Sequence, residues 1–171
     1  MSDQPETENE FERALHESFE AEDGSTEDIS YADLLGRVSR AAHALHHLGV
    51  RTGDRVAIYL PMIPEAVVAM LACARLGAVH SVVFAGFSAE ALRTRIDDAQ
   101  AKVVITADGQ YRRGSAAPLK PAVDEAAVAC PSVSHVLVVR RTGGPVVWHD
   151  DRDVWWHDVV DAQPNHHEPE A

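Results

Sequence analysis

Two stretches of the chain place anion- and amide-binding groups where a ligand could reach them. In VVFAGFSAEALRTR, residues 82–95, a β-branched run breaks at Phe84-Ala85-Gly86-Phe87 and an arginine-bearing helix starts at once. Glycine at position 86 allows a backbone conformation that other residues avoid, and Ser88 has the chemistry of a helix N-cap. Backbone N–H groups at such a helix start attract phosphates or carbonyl oxygens. Glu90, in the first turn, opposes a bare phosphate, so the turn favours a neutral ligand that carries amides. The plain alternative, a tight connection and nothing more, uses the same residues.

The second stretch is DGQYRRGSAAPLK, residues 108–120, which places Tyr111, Arg112 and Arg113 in a loop after an apolar run. Guanidinium forks bind phosphate bidentately, so the arginine pair would make an anion clamp. Most exposed arginine pairs are simply solvated. Spacing alone leaves the two readings even.

Other chemistry-bearing groups have plainer explanations. His43, His46 and His47 share one helical side, opposite an apolar stripe and without an acidic or thiol partner. They read as a solvated face rather than a metal site, and His166-His167 in the polar tail reads the same way. Trp155-Trp156-His157 reads as an anchor that pins a returning segment to the domain, because tryptophan buries a large area. The chain has no GxGxxG, GxxxxGK[ST], GxSxG or HExxH stretch, so no dinucleotide fingerprint, Walker loop, serine elbow or zinc helix is claimed.

These stretches need elements to hold them. Leu34, Leu35, Val38, Ala41, Ala42, Leu45 and Leu48 recur at helical spacing and stop at Gly49. Short apolar runs predict strands at 55–60, 78–84, 102–107 and 135–140. Helical patterns lie between them at 63–77, 88–99 and 121–129. Strands alternating with helices predict an α/β fold: an open, mainly parallel sheet with helices on both faces. Ligands of such sheets bind beyond the carboxyl ends of the strands, where both stretches fall. After Arg141 the pattern dissolves.

At 171 residues the chain is one folded domain by length, without an apolar run approaching the roughly 18 residues of a membrane span. Its two cysteines, Cys73 and Cys130, are too few for a disulfide framework, and a cytoplasmic setting is expected. The net charge of −12 is uneven: residues 1–28 hold eleven acids and one base, and 150–171 hold seven acids and one base. The remaining middle carries nine acids and thirteen bases, which suits an anionic ligand, whereas the acidic ends repel nucleic acid. The reading divides the chain into an acidic, disordered segment with at most a marginal helix (1–28), an α/β unit (29–145) and a tryptophan-containing docking segment with an acidic tail (146–171).

With these residues in view, the chain resembles a known family. GDRVAIYLPMIPEAVVAMLACARLGAVHSVVFAGFSAEAL, residues 53–92, is similar to the acetyl-coenzyme A synthetase family of the adenylate-forming acyl-CoA synthetases. KVVITADG, PLKPAVDEA, CPSVSHVLVVRRTG and DDRDVWWHD continue the likeness in family order, from about Glu17 to Glu170. The tryptophan pair marks the acetate/propionate branch.

The resemblance implies a ligase that joins a short carboxylic acid to coenzyme A. ATP with Mg2+ first forms an acyl-adenylate and diphosphate, and the coenzyme A thiol then displaces AMP. It further implies that Phe84, Ala85 and Gly86 line the coenzyme A path. An Arg-x-x-Arg/Lys pair holds the nucleotide phosphate; its first member matches Arg112, while its second falls on Ser115, which carries no charge. Arg113 is the nearby substitute. No catalytic residue and no metal ligand is expected within this chain. The family's Ser/Thr/Gly-rich phosphate loop and catalytic lysine domain are not among these residues, so the resemblance implies a fragment, inactive alone, with the remainder of the enzyme as its partner. A non-catalytic coenzyme A-binding or interaction module and a propionate–CoA ligase fragment are the alternatives. An unrelated flavodoxin-like carrier conflicts with the tryptophan cluster. Core surfaces that would meet the remainder are expected to be exposed, with at least one sheet edge open and marginal stability or self-association as the consequence.

Overall fold

The computed structural model describes residues 16–21, 24 and 26–169. Five parallel strands form the central sheet: β3 (Arg55–Tyr59), β4 (Val79–Val82), β5 (Val103–Ala107), β8 (His135–Val139) and β9 (Asp153–Trp155), in the spatial order β4-β3-β5-β8-β9. All residues of β5 are buried, as are the last four of β3 and of β8. Continuous apolar runs of this kind are what strands covered on both faces require.

Helices supply those covers. α1 (Tyr31–His47), α2 (Pro64–Arg75) and the short α5 (Trp156–Val160) pack together, while α3 (Ala89–Ala99) and α4 (Lys120–Ala127) pack with each other. α1 starts where Ser30 caps it: its hydroxyl accepts the Asp33 N–H at 3.1 Å and donates to the Asp33 carboxylate at 2.8 Å. α2 opens on Pro64, which lacks the N–H that a first helical turn cannot use. The chain steps from β3 to β4 on one side, then crosses to β5 on the other, so the connections reverse direction between β3 and β5. That reversal opens a crevice at the carboxyl edge.

Four expectations change. Within the segment read as disordered, β1 (His16–Glu20) pairs antiparallel with β2 (Thr26–Ser30). Phe19 packs against the core from β1 rather than lying in a disordered segment; residues 1–15 lie outside the described residues. The stretch read as a loop is a hairpin of β6 (Gly109–Arg112) and β7 (Ser115–Pro118). The helix expected at 121–129 runs from Lys120 to Ala127.

The fourth change lies beyond Arg141, where β9 adds a strand beside β8, with Val136 opposite Asp153. β9 is too short to show periodicity, and buried charge holds it. Fully buried Lys120 bonds Asp153 at 2.7 Å, Asp124 at 2.8 Å and the Val147 carbonyl at 2.8 Å. Arg152 bonds both carboxylates. Trp156 is buried, and Trp155 stacks on Trp148 with ring centroids 4.5 Å apart.

The histidine face is also partly engaged. His46 and His47 are exposed, but half-buried His43 donates from Nε2 to the His166 carbonyl at 2.6 Å. Arg75 holds the carbonyl of buried His167, so this part of the tail is tied down rather than solvated. Among the described residues no helix is long and apolar enough to cross a membrane.

Candidate functional site

The crevice is built from the four turns that leave β3, β4, β5 and β8, with Glu20 and Ala21 at the end of β1 on one side. Its volume is about 230 Å³, and Phe84, Ala85, Gly86 and Arg112 all line it. Two separate stretches of sequence thus meet at one place. Arg113 and Ser115 are not among its walls.

The turn after β4 is fixed from behind. Tyr59, buried at the end of β3, donates its hydroxyl to the Phe87 carbonyl at 2.8 Å and to the Ala85 carbonyl at 3.4 Å. Burial pushes that phenol's pKa up, which keeps it a donor. Gln110, from β6, donates to the same Ala85 carbonyl at 2.9 Å. Ala85 is therefore buried and anchored, while the Phe84 ring projects outward with 64% of its surface exposed. Phe87 meets Phe84 edge-to-face at 6.2 Å and carries the Arg95 guanidinium over its ring.

Gly86 is needed for a different reason than the sequence suggested. It does not have positive φ; instead, a Cβ there would come within 2.6 Å of the Phe84 ring. Ser88 does cap α3, accepting the Ala91 N–H at 3.3 Å, with Glu90 following in the first turn.

The β6–β7 hairpin supplies the cationic wall. Its turn is Arg113-Gly114, both left-handed at φ of 52° and 76°, which glycine adopts freely and arginine rarely. Arg112 pairs directly with Ser115 across the hairpin, so the two positions of the expected arginine pair are neighbours. Arg112, Arg113 and Ser115 are all exposed.

Asp108 locks this wall to the sheet. Its buried carboxylate accepts backbone N–H groups from Gly109 and Arg141 at 2.7 Å, Thr142 at 3.0 Å and Gly143 at 2.6 Å. Burial pulls its pKa upward, but the four donors outweigh that and hold the carboxyl below its ordinary range. The loop after β8 is thereby pinned, and Arg141 reaches the crevice with its guanidinium 5.5 Å from the Tyr111 ring centre.

Sequence reasoning missed Tyr59 and Arg141, and gave no role to Asp108 and Gln110 within the 108–120 stretch. Each sits at the carboxyl end of a strand or just beyond it, so strand ends were the available signal. A second cleft, of about 330 Å³, lies among α1, α2, α5 and the end of β8, and holds none of the expected contacts. Arg37, Arg40 and Arg140 line it with Glu65, whose carboxyl burial pushes up. Among the described residues no three metal-ligating side chains converge.

Comparison with known proteins agrees with this architecture. The chain is 63% identical over 158 residues to the acetyl-coenzyme A synthetase of Streptomyces coelicolor, covering 92% of this chain and 24% of that protein. It is 64% identical over 148 residues to the synthetase of the same name from Mycolicibacterium smegmatis, covering 86% of this chain and 16% of that one. The solved structure of an acetoacetyl-CoA synthetase from Streptomyces lividans superposes with a TM-score of 0.81 at 29% identity, over 90% of this chain and 23% of its own. The chain thus spans about a quarter or less of the length of these relatives. The sequence model described as AMP-binding enzyme matches residues 8–170, most of the chain. The chain, with its parallel sheet and strand-end crevice, belongs to the AMP-binding enzyme family.

Proposed function

We propose that this chain carries the coenzyme A-accepting face of an AMP-forming acetate–CoA ligase, the enzyme that converts acetate, ATP and coenzyme A to acetyl-CoA, AMP and diphosphate through acetyl-adenylate. One observation carries the reading: Phe84, Ala85 and Gly86 from one strand end and Arg112 from another line a single crevice. The exposed Phe84 ring offers an apolar wall for an uncharged pantetheine arm. Arg112 offers a planar fork for a phosphate. A volume of about 230 Å³ takes part of such a molecule.

ATP with Mg2+ supplies the leaving group that makes a carboxylate electrophilic. The residues described here offer no cage for that ion, which would arrive with the nucleotide's phosphates. These 171 residues bind and orient the thiol donor, and the activation of acetate belongs to other residues of the relatives' longer chains.

Calorimetric titration of the 171-residue protein with coenzyme A tests this. Saturable binding that weakens in Phe84→Ala and Arg112→Ala is expected, and no saturation at millimolar ligand rejects the reading. Incubation with acetate, ATP and Mg2+ is expected to release no diphosphate. Acetate-dependent release would show that activation also resides here.

A further inference from the structure

The hairpin carries one strong cation on the crevice wall, because Ser115 stands opposite Arg112. A phosphate held by a single exposed arginine would be held weakly. The crevice nevertheless has a second guanidinium. Arg141 leaves the end of β8, is half-buried, lies 5.5 Å over the Tyr111 ring and lines the same crevice as Arg112. Its backbone is fixed independently of its side chain, since Asp108 holds the N–H groups of Arg141, Thr142 and Gly143. A stacked, pre-positioned guanidinium loses less freedom on binding an anion than a free one. Among the described residues Glu20 is the carboxylate that lines the same crevice, and Arg141 also borders a neighbouring cleft with Glu20 and Glu27.

We propose that Arg141 is the second phosphate-holding cation of this crevice, taking from the loop after β8 the role that Ser115 leaves empty on the hairpin. The ligand class is a phosphorylated nucleotide with an uncharged amide arm, and the inference rests on the coenzyme A reading above. Arg141 acts in binding and positioning.

The test is calorimetric titration with coenzyme A and, separately, with pantetheine, which lacks the nucleotide phosphates. Arg141→Gln is expected to weaken coenzyme A binding about tenfold, the scale of one charged hydrogen bond. Pantetheine binding should be unchanged, because the Asp108 clamp uses only the backbone at position 141. Arg141→Lys should fall between the two. Ser115→Arg added to Arg141→Gln should restore most of the affinity, as the new guanidinium would stand beside Arg112. Coenzyme A bound equally well by Arg141→Gln and the unaltered protein overturns the proposal and leaves the coenzyme A reading standing. Equal losses for coenzyme A and pantetheine overturn it as well, since they would mark a structural role. No coenzyme A binding by the unaltered protein rejects both.

Discussion

The turn at Phe84–Phe87 and the ion cluster beneath β9 both concentrate polar chemistry, but they satisfy it in opposite ways. In the turn, Tyr59 and Gln110 tie down carbonyls from behind, while the Phe84 ring and the Arg112 guanidinium remain open to solvent. In the cluster, Lys120 is fully buried and bonds two carboxylates and a carbonyl. A charge with all its partners inside the protein has none left for a ligand. Charged side chains therefore do structural work in one region and face outward in the other. What separates them is whether a side chain's bonds close within the fold.

Breaking the cluster should have the largest effect. Lys120→Met removes the buried cation of the cluster and leaves Asp153 and Asp124 to Arg152; loss of one partner of a buried pair costs about 3–5 kcal/mol. Urea unfolding should show that loss, with Trp155 of β9 and its neighbours Trp148 and Trp156 reporting it by fluorescence. A change below about 1 kcal/mol would mean that the cluster is not what holds β9.

Acid should act on the same cluster and on the Asp108 clamp. Burial raises the Asp153 pKa, but Arg152, Lys120 and the His149 N–H outweigh it and hold the carboxyl below its ordinary range. The Asp108 carboxyl is likewise lowered. Their contribution is thus complete above the ordinary carboxylate pKa and is lost as pH falls through the lowered folded values. Stability measured against pH should be level near neutrality and fall on the acid side. Asp108→Asn should flatten part of that fall.

In the turn the effects should be smaller and should appear in binding. Tyr59→Phe removes the donor to the Phe87 carbonyl and should cost about 1 kcal/mol, with weaker coenzyme A binding. Gly86→Ala pushes on the Phe84 ring, which is free to swing outward. It should lower affinity severalfold and leave the unfolding midpoint nearly unchanged. A large loss of stability would show that Phe84 is held by more than this turn.

The smallest expected change in stability tests the sheet edge. β4 presents Val79 and Val82 with more than half their surface exposed, and it has no strand on its outer side among the described residues. Val82→Lys should leave stability unchanged and reduce any self-association seen by sedimentation, because a charge on an edge strand blocks pairing.

Much of this arrangement was legible in the residues. The apolar runs of β3, β5 and β8, the capping serine before α3 and the proline that opens α2 each act locally, through patterning or backbone chemistry. Gly86 was legible as a constraint, though its cause is the packing of Phe84 rather than positive φ. The β6–β7 hairpin was hidden because Arg113-Gly114 reads equally as a loop, and β9 because three residues show no period. The Arg112–Ser115 pairing followed only once the hairpin register was known.

Composition and periodicity by themselves determined an α/β chain with a parallel sheet and two strand-end stretches suited to a ligand. Those properties depend on neighbours within a few residues along the chain. The tertiary structure alone decided that Phe84, Gln110, Arg112 and Arg141, from three strand ends, share one crevice, and that Lys120 spends its charge inside the fold. Both outcomes depend on which strands lie side by side, and strand order is set by long-range packing that no local pattern encodes.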